Sequence, residues 1–136
     1  MMKLNSISDV IHIPVQRIID ERGIMTVVSN IDLPFEIVRI FTISSINSQR
    51  GFHAHKKCNQ FIVCVEGSLR LIVDDCHSKE ELILDNSSDG VFIPNGIWSH
   101  QVYLNTQTLI NVYCDKDYEE NDYIRDYDEY KEFRSK

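Results

Sequence analysis

Between Ile11 and Tyr113 the chain is a succession of short segments rich in Val, Ile, Phe and Tyr, each ended by Gly, Asn, Asp or Pro. Apolar runs this short, punctuated this often, read as the strands of an all-β sandwich or barrel. The expected strands are 11–15, 24–29, 36–43, 51–56, 59–66, 69–73, 80–85, 90–93, 98–104 and 108–113. The breakers between them carry turn chemistry. Glu66-Gly67-Ser68 reads as a tight hairpin turn, Asp74-Asp75-Cys76-His77-Ser78 and Asn86-Ser87-Ser88-Asp89-Gly90 as polar loops, and Asp20-Glu21-Arg22-Gly23 as a connection between two early strands. Pro14, Pro34 and Pro94 fall at strand ends, where a missing N–H does least harm. Only the tail departs from this pattern. Tyr123, Tyr127 and Tyr130 recur at i, i+4 and i+7, one stripe of an amphipathic helix over 118–134, with Asn121 or Asp122 as its N-cap. Such a stripe is expected to pack against the barrel or a partner subunit.

The length of 136 residues suits a single domain, 1–136, with a proper core, and no repeat or linker marks a second module. No apolar run is long enough to cross a bilayer, and the N-terminus lacks the apolar core of a secretory signal, so the expected address is the cytoplasm, with no membrane partner. The net charge of -7 repels polyanions and argues against nucleic acid as a partner. A small anionic ligand requires basic side chains that converge locally. Cys58, Cys64, Cys76 and Cys114 show no C-x-x-C pairing, so neither a zinc knuckle nor a disulfide framework is indicated. Cys64 and Cys114, among Val, Ile and Tyr, read as core thiols.

Three residues stand out chemically. His53 and His55, two apart in an expected strand, point to one face, with Phe52 and Ala54 on the other, and Gly51 leaves room for a close approach. Two imidazoles turned into a barrel are costly unless they are hydrogen-bonded, metal-bound or facing a wet cavity, which marks a site. Arg39, within Ile37-Val38-Arg39-Ile40-Phe41, is apolar on both sides and wants an anionic partner, either a ligand or a buried carboxylate.

The run Gly51-x-His53-x-His55-x4-Gln60-x6-Gly67 resembles the first cupin motif, and Pro94-Asn95-Gly96-Ile97-Trp98 the start of the second. The resemblance implies a cupin jelly roll, a double-stranded β-helix, here with a short C-terminal helix. In metal-binding cupins a glutamate and a third histidine complete the ligand set; here Gln60, or Asn59 at the shorter spacing, and Ser99 hold those places, and His100 lies one residue late, on the opposite face. Two imidazoles, an amide and a hydroxyl make a poor divalent-metal site, so no metal is expected. Over nearly the full length the chain is more specifically similar to the dTDP-4-keto-6-deoxyhexose 3,4-ketoisomerases. The matching runs include Arg50-Gly51-Phe52-His53-Ala54-His55-Lys56-Lys57 and Asp122-Tyr123-Ile124-Arg125-Asp126-Tyr127-Asp128.

That resemblance implies a cofactor-independent isomerase that moves a carbonyl from C4 to C3 of a dTDP-linked sugar through an enediol, supplying a 3-keto sugar for 3-amino-6-deoxyhexose biosynthesis. It implies His53 and His55 as the acid–base pair, with His55 favoured as the base, and Arg39 and Arg50 as pyrophosphate anchors. Lys56, Trp98 and His100 are further candidates, Lys56 as a cation at the rim, Trp98 as a stacking ring and His100 beside the expected mouth. Phe41 and Thr42 stand where the family has tyrosines, which puts the substrate contacts in question. The resemblance also implies a homodimer, with the early strands 11–15 and 24–29 as candidates for exchange between subunits. The rival readings are a cupin 3,5-epimerase of a dTDP-4-keto sugar and a non-catalytic sugar- or metal-binding cupin.

Overall fold

The computed structural model describes residues 4–46, 48–105 and 107–136. Its strands are β1 (Ile11–Ile13), β2 (Gln16–Asp20), β3 (Gly23–Val27), β4 (Arg39–Ser45), β5 (Gln49–His55), β6 (Gln60–Glu66), β7 (Ser68–Asp74), β8 (Lys79–Asp85), β9 (Gly90–Ile93), β10 (Trp98–Tyr103), β11 (Thr108–Cys114) and β12 (Tyr123–Ile124), followed by the helix α1 (Tyr127–Ser135). They form two five-stranded antiparallel sheets, β1-β9-β6-β11-β4 and β12-β5-β10-β7-β8, and a separate hairpin, β2-β3. This is the expected jelly-roll architecture with a short C-terminal helix. The strand at β2 was not anticipated, because Gln16, Arg17 and Asp20 hide its two isoleucines.

Alternation along the strands builds three apolar clusters. Ile62 and Cys64 of β6, Leu69, Leu71 and Val73 of β7, and Ile110, Val112 and Cys114 of β11 meet between the sheets, nearly all fully buried. Each fully buried leucine there contributes roughly 2 kcal/mol. Phe61 and Val63, on the other face of β6, are covered by Ile13, Val15, Leu33 and Phe35 of the N-terminal segment. β6 is therefore buried on both sides, which is why its sequence Phe-Ile-Val-Cys-Val shows no polar alternation. The third cluster, Ala54, Trp98, Ile124 and Tyr130, lies beneath α1.

Glu66-Gly67-Ser68 is not a hairpin turn. β6 pairs with β9 and β11, whereas β7 pairs with β8 and β10, so this turn carries the chain from one sheet to the other. Gly67 adopts φ 80°, and a Cβ there would lie 2.5 Å from the Gln107 carbonyl oxygen. Only glycine suits that crossing.

The tail differs from expectation in a way that matters for the site. The helix begins at Tyr127, and its N-cap is Asp126, whose carboxylate accepts from the Glu129 N–H, rather than Asn121 or Asp122. Ahead of it the chain runs beside β5: the Asp122 carbonyl accepts from Lys56 N (2.9 Å), and Tyr123 and Ile124 pair with His55 and Ala54. These strand contacts outweigh the helical periodicity of the tyrosines. Tyr123 thereby leaves the stripe, while Tyr127 and Tyr130 remain on it. Tyr130 is fully buried; its hydroxyl accepts from the Trp98 N–H (3.2 Å) and shares its proton between the carbonyls of Gly96 (2.7 Å) and Asp74 (3.0 Å).

Candidate active site

A cavity of about 500 Å³ opens between the sheets. β4 supplies Phe41 and Ile43 to its wall, β5 supplies Arg50 and His53, β6 Gln60 and Ile62, β10 Gln101, and the tail Tyr123 and Arg125. The wall thus mixes an apolar floor with guanidinium, imidazole and phenol groups, the composition of a site for a small polar ligand.

His53 of β5 lines this cavity, and His55, its neighbour on the same face, adjoins it without being among the lining residues. The His53 and His55 rings stand at right angles, 5.1 Å apart. A bulge sets them there. Ser99 of β10 faces His53 but His100 faces Gly51, so Phe52 is the extra residue, with φ 62° beside φ 100° at Gly51. A Cβ on Gly51 would come within 2.9 Å of the His100 Cα, so the close approach anticipated for this glycine is real. Bulges of this kind re-aim side chains.

His55 is held by a residue 67 positions away. Its Nδ1 lies 3.0 Å from the Asp122 carboxylate, with the two side chains only 6% and 10% exposed. Asp122 is itself fixed, accepting from the backbone N–H groups of Lys57 (2.7 Å) and Cys58 (3.3 Å). With a carboxylate at Nδ1, that nitrogen carries the proton and Nε2 presents a lone pair. Among the described residues, His55 Nε2 and His53 Nδ1 are buried without a hydrogen-bond partner. Burial lowers the His55 pKa below the ordinary imidazole value, against the opposing pull of Asp122. Burial, together with the charge of His55, lowers His53 to about 4. Both rings are therefore neutral at neutral pH, and one of them offers an oriented, unshared base.

The cations divide. Arg50 is exposed on the cavity wall, and no carboxylate pairs with it among the described residues. Arg39 lies on the inner row of β4 with Phe41 and Ile43, half-buried; its Nη2 donates to Cys114 Sγ (3.6 Å) and its guanidinium lies over the Phe41 and Tyr118 rings. The rival expectation of a structural salt bridge to Arg39 is not met among the described residues. Arg125, by contrast, forks onto Glu120 at 2.8 and 2.9 Å while covering the Tyr123 ring at 4.2 Å.

The remaining candidates lie elsewhere. Trp98 is buried in the cluster under α1, edge-on to Tyr127, because even-numbered residues of β10 face outward. His100 shares that face, stacks on Phe52 at 4.4 Å, and lines a separate outer groove with Trp98 rather than the cavity. Lys56 is exposed at the end of β5 and absent from the cavity wall. What the sequence reading missed is the tail: Asp122, Tyr123 and Arg125. The run Asp122-Tyr123-Ile124-Arg125 was its signal, obscured by the expected helix.

The cupin ligand places hold His53, His55, Gln60 and Ser99, and the Gln60 amide donates to Cys114 Sγ at 3.6 Å instead of offering an oxygen freely. His55, Cys58 and Asp122 do bring an imidazole, a thiol and a carboxylate within 4.8 Å of one another. Their hydrogen bonds to each other, to backbone N–H groups and, from Cys58, to the Asn59 carbonyl already engage those atoms, so neither set fits a resident ion well.

Residues 8–135 match the family FdtA, described as WxcM-like, C-terminal. A TDP-4-oxo-6-deoxy-alpha-D-glucose-3,4-oxoisomerase of Aneurinibacillus thermoaerophilus is 36% identical over 124 residues, 89% of either chain. A 3,4-ketoisomerase of Helicobacter canadensis superposes with a TM-score of 0.86 at 30% identity, over 94% of this chain and 98% of that one. The sugar 3,4-ketoisomerase QdtA of Thermoanaerobacterium thermosaccharolyticum, solved in complex with TDP, gives 0.87 at 28% identity, over 96% and 97%.

Proposed function

Since the chain belongs to the FdtA family of sugar 3,4-ketoisomerases, we propose that it converts TDP-4-keto-6-deoxyglucose to a TDP-linked 3-keto-6-deoxyhexose. The observation that carries this reading is His55, fixed through Nδ1 by Asp122 with its Nε2 unpartnered, next to His53 at a cavity lined by Arg50.

The C4 ketone acidifies the C3–H bond. His55 Nε2 takes that proton, the C3–H electrons become the C3=C4 double bond, and the former carbonyl oxygen gains a proton, giving an enediol. His55 then returns its proton to C4 as the C3 oxygen loses its own and becomes the new carbonyl. The proton count closes without a redox partner, which fits a cofactor-independent site. Asp122 stabilises the imidazolium formed midway, and neutral His53 supports the sugar oxygens by hydrogen bonding. Arg50 on the cavity wall and Arg39 on the inner row of β4, neither paired with a carboxylate among the described residues, are the proposed pyrophosphate anchors. The 3-keto product suits a transaminase forming a 3-amino sugar for a surface polysaccharide, and a nucleotide-activated substrate fits a cytoplasmic site of action.

The protein is also proposed to act as a homodimer. Among the described residues the β2–β3 hairpin forms no ladder with either sheet, and it exposes Ile19 (70%) and Met25 (59%), an apolar arm suited to exchange with a second copy. β1, the other strand expected to exchange, pairs with β9 of its own chain. Running the reaction in deuterium oxide tests the isomerase reading against the 3,5-epimerase one. A 3-keto product, its C4 carrying either solvent deuterium or the proton transferred from C3, supports ketoisomerisation; deuterium at C5 of a retained 4-ketone overturns it.

A further inference from the structure

A 3,4-ketoisomerisation moves two kinds of proton. One leaves and joins carbon, and it must travel perpendicular to the enediol plane so that its bond overlaps the developing double bond. The other moves between O3 and O4, in that plane. A single imidazole cannot approach from both directions, so the reading of the site as a ketoisomerase, on which this inference rests, calls for a second group at the sugar's edge.

We propose that Tyr123 is that group: its phenol hydroxyl protonates O4 as the enediol forms and takes the O3 proton as the enediol collapses. The placement follows from the tail's strand. Tyr123 pairs in register with His55, and the adjacent Ile124, 3% exposed, is locked into the cluster under α1, so alternation turns Tyr123 to the side of the histidines. Its ring lies 4.3 Å from that of His55, inclined at 56°, and 5.1 Å from that of His53, and it lines the cavity. The Tyr123 and His55 rings are thus set at different angles beside the cavity that Tyr123 lines. Two cations attend Tyr123. Arg125 lies 4.2 Å over the ring. Arg39 is close enough that, although burial opposes its charge, Cys114 and the Tyr123 hydroxyl raise its pKa overall. Negative charge passing onto the phenol oxygen during transfer is thus met by guanidinium groups.

The chemistry suits a phenol better than the other residues here. A phenol donates and accepts through one oxygen, whereas a neutral imidazole accepts at one nitrogen and donates at the other. His53, lowered to about 4, carries no proton to give as an imidazolium at neutral pH. Across the cavity, β4 offers Phe41, which has no hydroxyl. The step balances. Tyr123 gives its proton to O4 while His55 removes the C3 proton, and the phenolate recovers a proton from O3 while His55 protonates C4.

The test is Tyr123→Phe, assayed with TDP-4-keto-6-deoxyglucose beside wild type and Tyr127→Phe, which removes a phenol hydroxyl in the outer groove, away from the cavity wall. Expected are a kcat about 10²–10⁴-fold lower for Tyr123→Phe, a TDP affinity within about threefold of wild type, a larger solvent isotope effect on kcat, and an unchanged kcat for Tyr127→Phe. A folded Tyr123→Phe enzyme with near-wild-type kcat overturns the assignment while leaving the ketoisomerase reading intact. A wild type that forms no 3-keto sugar overturns both. If Tyr123→Phe does not fold, 3-fluorotyrosine incorporated in place of Tyr123 keeps the shape and acidifies the phenol. The alkaline limb of the kcat profile is then expected to move to lower pH, and an unmoved limb overturns the assignment.

Discussion

Replacing Asp122 with Asn isolates what the distant carboxylate gives to His55. When His55 takes a proton, the imidazolium and the carboxylate lie across a 3.0 Å contact between side chains that are 6% and 10% exposed. Their charge centres are ~4 Å apart, and at the effective dielectric of such a pair the attraction is about 4 kcal/mol. Loss of that attraction at the moment of proton transfer corresponds to a kcat about 10³-fold lower. Asn also turns an N–H group toward Nδ1, which favours the tautomer with the proton on Nε2 and blocks the lone pair that abstracts from carbon. The oxygen of the Asn amide can still accept from the Lys57 N–H and the backbone bond from Lys56 to the carbonyl of residue 122 is untouched, while the longer bond from the Cys58 N–H is lost. Steady-state kinetics by NMR, with melting curves to verify folding, are expected to show the loss in kcat and little change in KM. A folded Asp122→Asn enzyme with kcat within about tenfold of wild type would refute the role given to the carboxylate.

Other consequences can be measured independently. His53 titrates at about 4 in the folded protein, against about 6.5 when free. Between those values the unfolded chain binds more protons, so stability present above pH ~6.5 declines by up to about 3 kcal/mol as pH falls to ~4 and then levels off. Denaturant melts across this range should show His53→Asn losing less than wild type; equal losses would count against the buried neutral ring. Arg39→Gln and Arg50→Gln should each weaken TDP binding by about 10–100-fold in calorimetry, with a shallower salt dependence, as loss of a charge-assisted phosphate contact requires. Tyr130→Phe strips the hydroxyl that serves Trp98, Gly96 and Asp74. It should lower stability by about 1–3 kcal/mol with kcat unchanged, since the residue lies under α1; an unshifted melting temperature would contradict its structural role.

How much of this was legible in sequence depended on whether the information was local. The β9 boundaries, Gly90–Ile93, and the common face of His53 and His55 follow from composition and two-residue alternation, and the structure has both. The need for glycine at position 51 was visible too, although the bulge that requires it takes register with β10 to see. The tail defeated local reasoning. Tyr123, Tyr127 and Tyr130 have a genuine helical period, yet β5 captured the first of them, because Lys56, Lys57 and Cys58 had backbone donors to satisfy and Asp122 supplied the acceptors. That capture delivers the carboxylate and the phenol to the histidines. Trp98 and His100 misled for the opposite reason: they adjoin the ligand motif in sequence but alternate to the outer face of β10. Gly67 looked like a hairpin because a one-residue turn between strands usually is one; which sheet each strand joins is a property of the whole barrel.

The most direct test is the fate of the sugar itself. Wild-type protein is mixed with TDP-4-keto-6-deoxyglucose and the ring protons are followed by NMR. The expected result is decay of the 4-keto sugar into an isomer whose carbonyl is at C3 and whose C4 bears a hydrogen, with no added cofactor. A carbonyl that stays at C4, whether the sugar is unchanged or epimerised, would contradict the assignment.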